Sequence, residues 1–152
     1  MTNEGGINKF LRVEITQLDN KIFKISQPYL TDQIISFLDI DANDHNIETN
    51  EKSTPVGKPL LRKDLSGKLR KKTWNYRTAV GMMTYLQGNS RPEMTMAVHQ
   101  TARFCNNPWL LHEKAIKCLG LYLSHTRKEG IAYNPDTSKG LECYVDAEFA
   151  GG

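Results

Sequence analysis

Between Thr73 and Arg127 three apolar-periodic runs follow one another, parted by two short breaks, GNSRP and NNP. In the first run Ala79, Val80, Met83 and Leu86 fall on one helical face. In the second Met94, Ala97, Val98, Thr101 and Cys105 do, and in the third Leu111, Ala115, Cys118, Leu119 and Tyr122. Spacings of i, i+3, i+4 and i+7 mark helices that each carry an apolar stripe. Three such stripes in some fifty residues leave one economical solution, a three-helix unit in which each covers the others. The breaks fit as boundaries, since Pro92 and Pro108 suit a first helical turn and Ser90 or Asn107 can cap just before it.

The flanks have other periods. From Ile7 to Ile25 apolar and polar residues alternate around an Asp19-Asn20 turn, which predicts a β-hairpin. Ser26 to Leu38 reads as a helix capped by Ser26, with Pro28 in its first turn and Leu30, Ile34, Phe37 and Leu38 on one face. Asp41 to Lys72 has no period and is dense in turn formers, so it is expected to be a polar linker or loosely attached loop. Beyond the helices, Gly130 is placed to end the third one. Ile131–Tyr133 and Leu141–Asp146 then read as short strands. The predicted fold class is α+β: an N-terminal β-hairpin and helix, a polar linker, a three-helix unit and short C-terminal strands.

At 152 residues the chain suits one domain or little more. Its net charge of +3 permits a polyanionic partner without demanding one. Cys105, Cys118 and Cys143 are odd in number and far apart, which argues against a disulfide framework or zinc ribbon. His99, Cys105, His112, Cys118 and His125 lie six or seven residues apart, unlike the paired ligands of structural zinc sites. No apolar run approaches the ~20 residues that span a bilayer, and the start MTNEGG has no signal-peptide core. An intracellular, soluble protein without a membrane partner is expected.

Several short matches in order carry a family resemblance. They are Tyr76-Arg77 with Gly81 and Tyr85-Leu86; Ser90-Arg91-Pro92-Glu93 with Ala97-Val98; Arg103-Phe104 before Asn107-Pro108; His112, Ala115 and Lys117; and Tyr122-Leu123 with Thr126, Gly130-Ile131 and Tyr133. From about Gly6 to its last residue the chain resembles the C-terminal half of the reverse transcriptase of copia-type retrotransposons. The resemblance implies that residues 1–40 end the polymerase palm and add the helix after it. It makes 41–72 a flexible basic linker, 73–129 a thumb or connection unit, and 130–152 the start of a truncated ribonuclease H domain. Arg12 stands where that family usually has glycine, Glu148 where it has aspartate and Phe149 where it has tryptophan.

Polymerases of this kind hold divalent ions on paired carboxylates, usually adjacent aspartates, and this sequence has no Asp-Asp pair. The chain alone is therefore expected neither to polymerise nor to need a cofactor, while Mg2+ is implied for the parent enzyme. By resemblance Asp146 is the first metal-binding and catalytic carboxylate of ribonuclease H, in a site that one strand end cannot complete. Lys68, Arg70, Lys71 and Lys72, with Arg91, Arg103, Lys114 and Lys117 around the helices, are the candidate nucleic-acid contacts. Trp74, Tyr76 and Trp109 lie among them, as stacking groups or as packing anchors. The basic run is equally a solvated arm. Three readings stay open: the primer-template-binding part of a Pol polyprotein, partnered by the rest of it; a stand-alone, non-catalytic nucleic-acid-binding module; and a decayed remnant without selected function. If the parent is active, the chain is expected in cytoplasm or retrotransposon particles.

Overall fold

In the computed structural model of the protein the described residues are 9–10, 13–19, 22–40, 61–63, 67–70, 73–136, 138 and 140. In chain order they form strands β1 (Lys9–Phe10), β2 (Val13–Asp19) and β3 (Ile22–Ser26), then helix α1 (Pro28–Phe37). After them come α2 (Tyr76–Asn89), a 3-10 turn (Pro92–Met94), α3 (Thr95–Ala102), α4 (Leu110–His125) and β4 (Ile131–Tyr133). The class is α+β. Lys71, Lys72, Arg12, Asp146 and the Leu141–Asp146 strand lie outside the described residues.

The three-helix unit forms as its stripes dictate, and α1 joins it. Leu30, Ile34 and Leu38 of α1 share one core with Ala79, Val80, Met83 and Leu86 of α2, Met94, Ala97 and Val98 of the next segment, and Ile116, Leu119 and Leu123 of α4. The stripe of α4 holds in part. Leu119 and Tyr122 are buried as expected, Leu111 is exposed, Ala115 and Cys118 are half-buried, and His112, Ile116 and Leu123 complete the inward face. A histidine opens that face, so apolarity alone misplaces its start. Gly120 admits α1: a Cβ there would stand 2.1 Å from Ile40 Cδ1 and 2.8 Å from Leu38 Cδ1.

The caps also differ from their sequence reading. Ser26 ends β3, and Gln27 precedes α1. Asn75 caps α2, its Oδ1 accepting the Thr78 N–H at 3.1 Å. Ser90 closes α2, where its N–H bonds Leu86 O. At α4 the role given to Asn107 belongs to His112, whose Nδ1 accepts the Trp109 N–H at 2.9 Å. α4 ends at His125, and Gly130 serves the sheet instead. A Cβ on Gly130 would meet Ile25 O at 2.1 Å, so only glycine lets the chain turn this closely into β4.

All pairings in the four-stranded sheet are antiparallel, in the order β1-β2-β3-β4, so the C-terminal strand returns to the N-terminal hairpin. The register aligns Ile15, Ile25 and Ile131 in one cross-strand row, with Gln17, Phe23 and Tyr133 two positions along on the same face. The sheet is tied to the helical part where β3 runs into α1: Ser90 Oγ donates to the buried Gln27 Oε1 at 2.9 Å and Lys24 Nζ of β3 donates to Lys128 O at 2.6 Å, while Arg127 pairs with Asp32 of α1.

Candidate nucleic-acid interface

The end of the segment read as a loose linker is docked. Residues 61–63 and 67–70 form a strap across the start of α4, held at three places. His112 Nε2 meets Arg62 O at 3.0 Å, Leu110 N–H donates to Lys68 O at 3.0 Å, and Arg70 Nε donates to Glu113 Oε2 at 2.9 Å. Because the Trp109 N–H already fills Nδ1, the hydrogen of His112 resides on Nε2 and points at the strap. Glu113 in the first turn of α4 also complements the helix dipole.

Arg70, a candidate phosphate contact, belongs to the interior of this joint. Both Arg70 and Glu113 side chains are 7% exposed. The guanidinium lies 4.7 Å from the Trp74 ring centroid and 5.6 Å from that of Tyr76, and it donates to Trp74 O at 2.7 Å. Trp74 and Tyr76 stack on each other, so both are packing groups here. The Tyr76 hydroxyl donates to Thr101 O at 3.0 Å, and burial pushes its ionisation well above the ordinary tyrosine range.

Arg91 is likewise withdrawn. Its residue is 1% exposed; Nε donates to Glu93 Oε1 at 2.5 Å, and Nη1 and Nη2 donate to Thr126 O and Thr126 Oγ1 at 3.0 and 2.6 Å. The group also sits over the Tyr122 ring at 5.3 Å. Leu110, beside the strap, and Thr126, beside Arg91, lie sixteen residues apart along α4, about 24 Å at helical rise. The candidate cations therefore do not converge on one point. Arg91 fastens the far end of the helix and Arg70 the near end.

Four candidates keep accessible charge. Lys68 and Lys114 are exposed, Lys117 is half-buried one turn beyond Lys114, and exposed Arg103 donates to Gln100 Oε1 at 3.1 Å. Lys68 and Lys114 both flank the first half of α4, since the strap binds at Leu110. Sequence reading passed over Arg77, although it belongs to the Tyr76-Arg77 pair that carries the resemblance. Arg77 is exposed and bridges to the α3–α4 turn, donating to Cys105 O at 3.3 Å and Asn106 Oδ1 at 2.5 Å. Cys105 and Cys118 are free, and burial raises both thiols. Among the described residues no group of three His, Cys, Asp or Glu side chains is placed to hold a metal ion, and no helix is long and apolar enough to cross a membrane.

Comparison with known proteins adds a decisive observation. The chain is 28% identical over 146 residues, 95% of its length, to the retrovirus-related Pol polyprotein from transposon RE1 of Arabidopsis thaliana. It is 30% identical over 115 residues, 75% of its length, to that from transposon RE2 of the same plant. Both of these relatives are Pol polyproteins of plant transposons. The chain spans 9% and 8% of those two relatives. A third match, 33% over 76 residues, covers 50% of this chain and 54% of secreted RxLR effector protein 161 of Plasmopara viticola. No family model matches the chain, and no solved structure does.

Proposed function

We propose that this chain is the part of a copia-type retrotransposon reverse transcriptase that grips primer-template duplex, with the end of the palm before the helical unit and the start of ribonuclease H after it. The observation that carries the reading is the similarity to transposon Pol polyproteins along 95% of the chain. A thumb must hold any sequence, so its contacts go to phosphates rather than bases. Lys68, Arg103, Lys114 and Lys117 offer accessible cations of the kind required. Chemistry belongs to the remainder of the polyprotein, whose paired carboxylates this chain lacks and whose Mg2+ they would hold.

Retention of labelled primer-template duplex across a salt series tests the reading. Affinity is expected to fall linearly in logarithmic coordinates, each neutralised phosphate adding about 0.9 to the slope on B-form DNA. Absence of any salt-dependent retention at low ionic strength would sink it.

The effector match favours a second reading, in which this region serves as a non-catalytic module in a protein much shorter than a polyprotein. Both readings place phosphate contacts on the same cations. They part on whether adding back the preceding polymerase region in trans restores primer extension, which only the first allows.

A further inference from the structure

At the start of α2 the chain leaves an open cleft of about 420 Å³, lined among others by Arg70, Trp74, Tyr76, Arg77, Cys105 and Pro108. Its chemistry is one-sided. Arg70 is neutralised by Glu113, but Arg77 has no carboxylate partner among the described residues. Two of the Arg77 N–H groups are spent on Cys105 O and Asn106 Oδ1, which hold the guanidinium across the cleft and leave its other donors available. The first turn of α2 contains no acidic residue, and Asn75 satisfies only the amides of Thr78 and Ala79, through its side chain and its carbonyl. The amides of Tyr76 and Arg77 stay without intrahelical partners. Trp74 lines the cleft at 8% exposed, and its indole N–H is itself buried, with no acceptor among the described residues.

Unpartnered donors, a positioned guanidinium and a helix N-terminus around a cleft with no carboxylate among its lining residues lack the same thing, an oxyanion with several acceptor atoms. We propose that this cleft seats a phosphate group of a nucleic-acid strand, with Arg77 as its principal ligand. The assignment rests on the proposed function for the strand as the source; the preference for phosphate rests on the donors alone. Phosphate suits them better than a carboxylate does, because it offers acceptors in three directions where a carboxylate offers a planar pair.

The test uses the full chain, isotope-labelled, with the Trp74 indole and Tyr76 and Arg77 amide resonances followed by NMR at constant ionic strength. Inorganic phosphate is expected to shift them saturably, with acetate at least about tenfold weaker and the amides of β4 unmoved. Arg77→Ala is expected to weaken the phosphate effect about tenfold or more, as loss of a charge-assisted contact implies, and Arg77→Lys to restore part of it. Arg77 is exposed, so an unchanged spectrum elsewhere shows that these variants fold. A short oligonucleotide is expected to displace the phosphate. An absent shift, an equal response to acetate, a shift indifferent to Arg77→Ala, or an oligonucleotide that leaves phosphate in place overturns the proposal. If phosphate still seats but duplex retention is absent, the function reading falls and the phosphate seat stands without its strand.

Discussion

The helices and the sheet were both written in clean periods, yet they end in opposite states of burial. Among the described residues every member of the main core lies in α1 to α4, in the 3-10 turn, or, as Leu38 and Trp74 do, within two residues of a helix end. Among the strand residues whose burial is described, only Ser26, at the end of β3, is buried. Phe23 and Tyr133, neighbours across β3 and β4, are 39% and 51% exposed. A period states which residues share a face, whereas burial also needs a second surface to meet that face. Within this chain the helices supply that surface for one another.

The largest effect that sharpens this contrast is expected from the core. Met83→Ala and Leu119→Ala remove side chains that are 0% and 1% exposed, at a cost of roughly 2–5 kcal/mol each. Phe23→Ala should cost less, about 1–2 kcal/mol, since burying a large side chain completely is worth about 1.5–3 and Phe23 is 39% exposed. Chemical denaturation of the three variants decides it. Equal losses would mean that the sheet face is covered after all.

A second contrast sets buried arginines against exposed lysines, and it explains what sequence could not tell. The helical stripes of α1 to α3 were legible because apolar residues mark them directly. Arg91 looked like the other basic residues around the helices, and nothing local revealed that Thr126, thirty-five positions away, would take two of its N–H groups. The same holds for the strap, where Arg70 meets Glu113 across forty-three positions. Long-range polar pairing leaves no periodic trace. The α4 stripe is legible at Leu119 and Tyr122 but not at its start, where a buried histidine stands.

Arg91→Ala is therefore expected to destabilise the fold by about 1–3 kcal/mol, because Thr126 O keeps only the Glu129 N–H, Thr126 Oγ1 and Glu93 lose the guanidinium, and the Tyr122 contact goes with it. It should leave the salt slope of duplex retention unchanged. Lys114→Ala should do the reverse, lowering the slope by about 0.9 with stability changed by no more than about 0.5 kcal/mol. A fall in the slope with Arg91→Ala would place that side chain on the nucleic acid and erase the distinction.

Glu113→Ala probes whether the strap is a separate unit of stability. Removing one partner of a buried pair leaves the other charge stranded, a change that costs about 3–5 kcal/mol in a rigid interior. The strap has a cheaper way out, since Arg70 regains water if the segment lifts off α4. The expected result is faster proteolysis after Lys68 and Arg70 with little change in the global melting temperature. A drop in melting temperature comparable to that of Leu119→Ala would mean that the strap unfolds only with the core.

The smallest effect is a pH dependence that separates tyrosines by their surroundings. Tyr76 is buried, and its ionisation is raised first by desolvation and then by Cys105, with Arg70 opposing. Tyr122 is raised too, mainly by burial. For an acid whose folded pKa exceeds its unfolded value near 10, the folded state holds the proton more tightly. The associated stability is complete below about pH 10 and is lost as pH rises above it, because only the unfolded chain can release the proton there. Denaturation midpoints should thus be flat through neutrality in this respect and decline above about pH 10. Absorbance of tyrosinate should show Tyr76 appearing only as the chain unfolds. Tyr76→Phe loses one hydrogen bond to Thr101 O, about 1 kcal/mol at neutral pH, but should flatten the alkaline decline. A decline of the same steepness in that variant would assign the alkaline loss to other groups and detach it from the core.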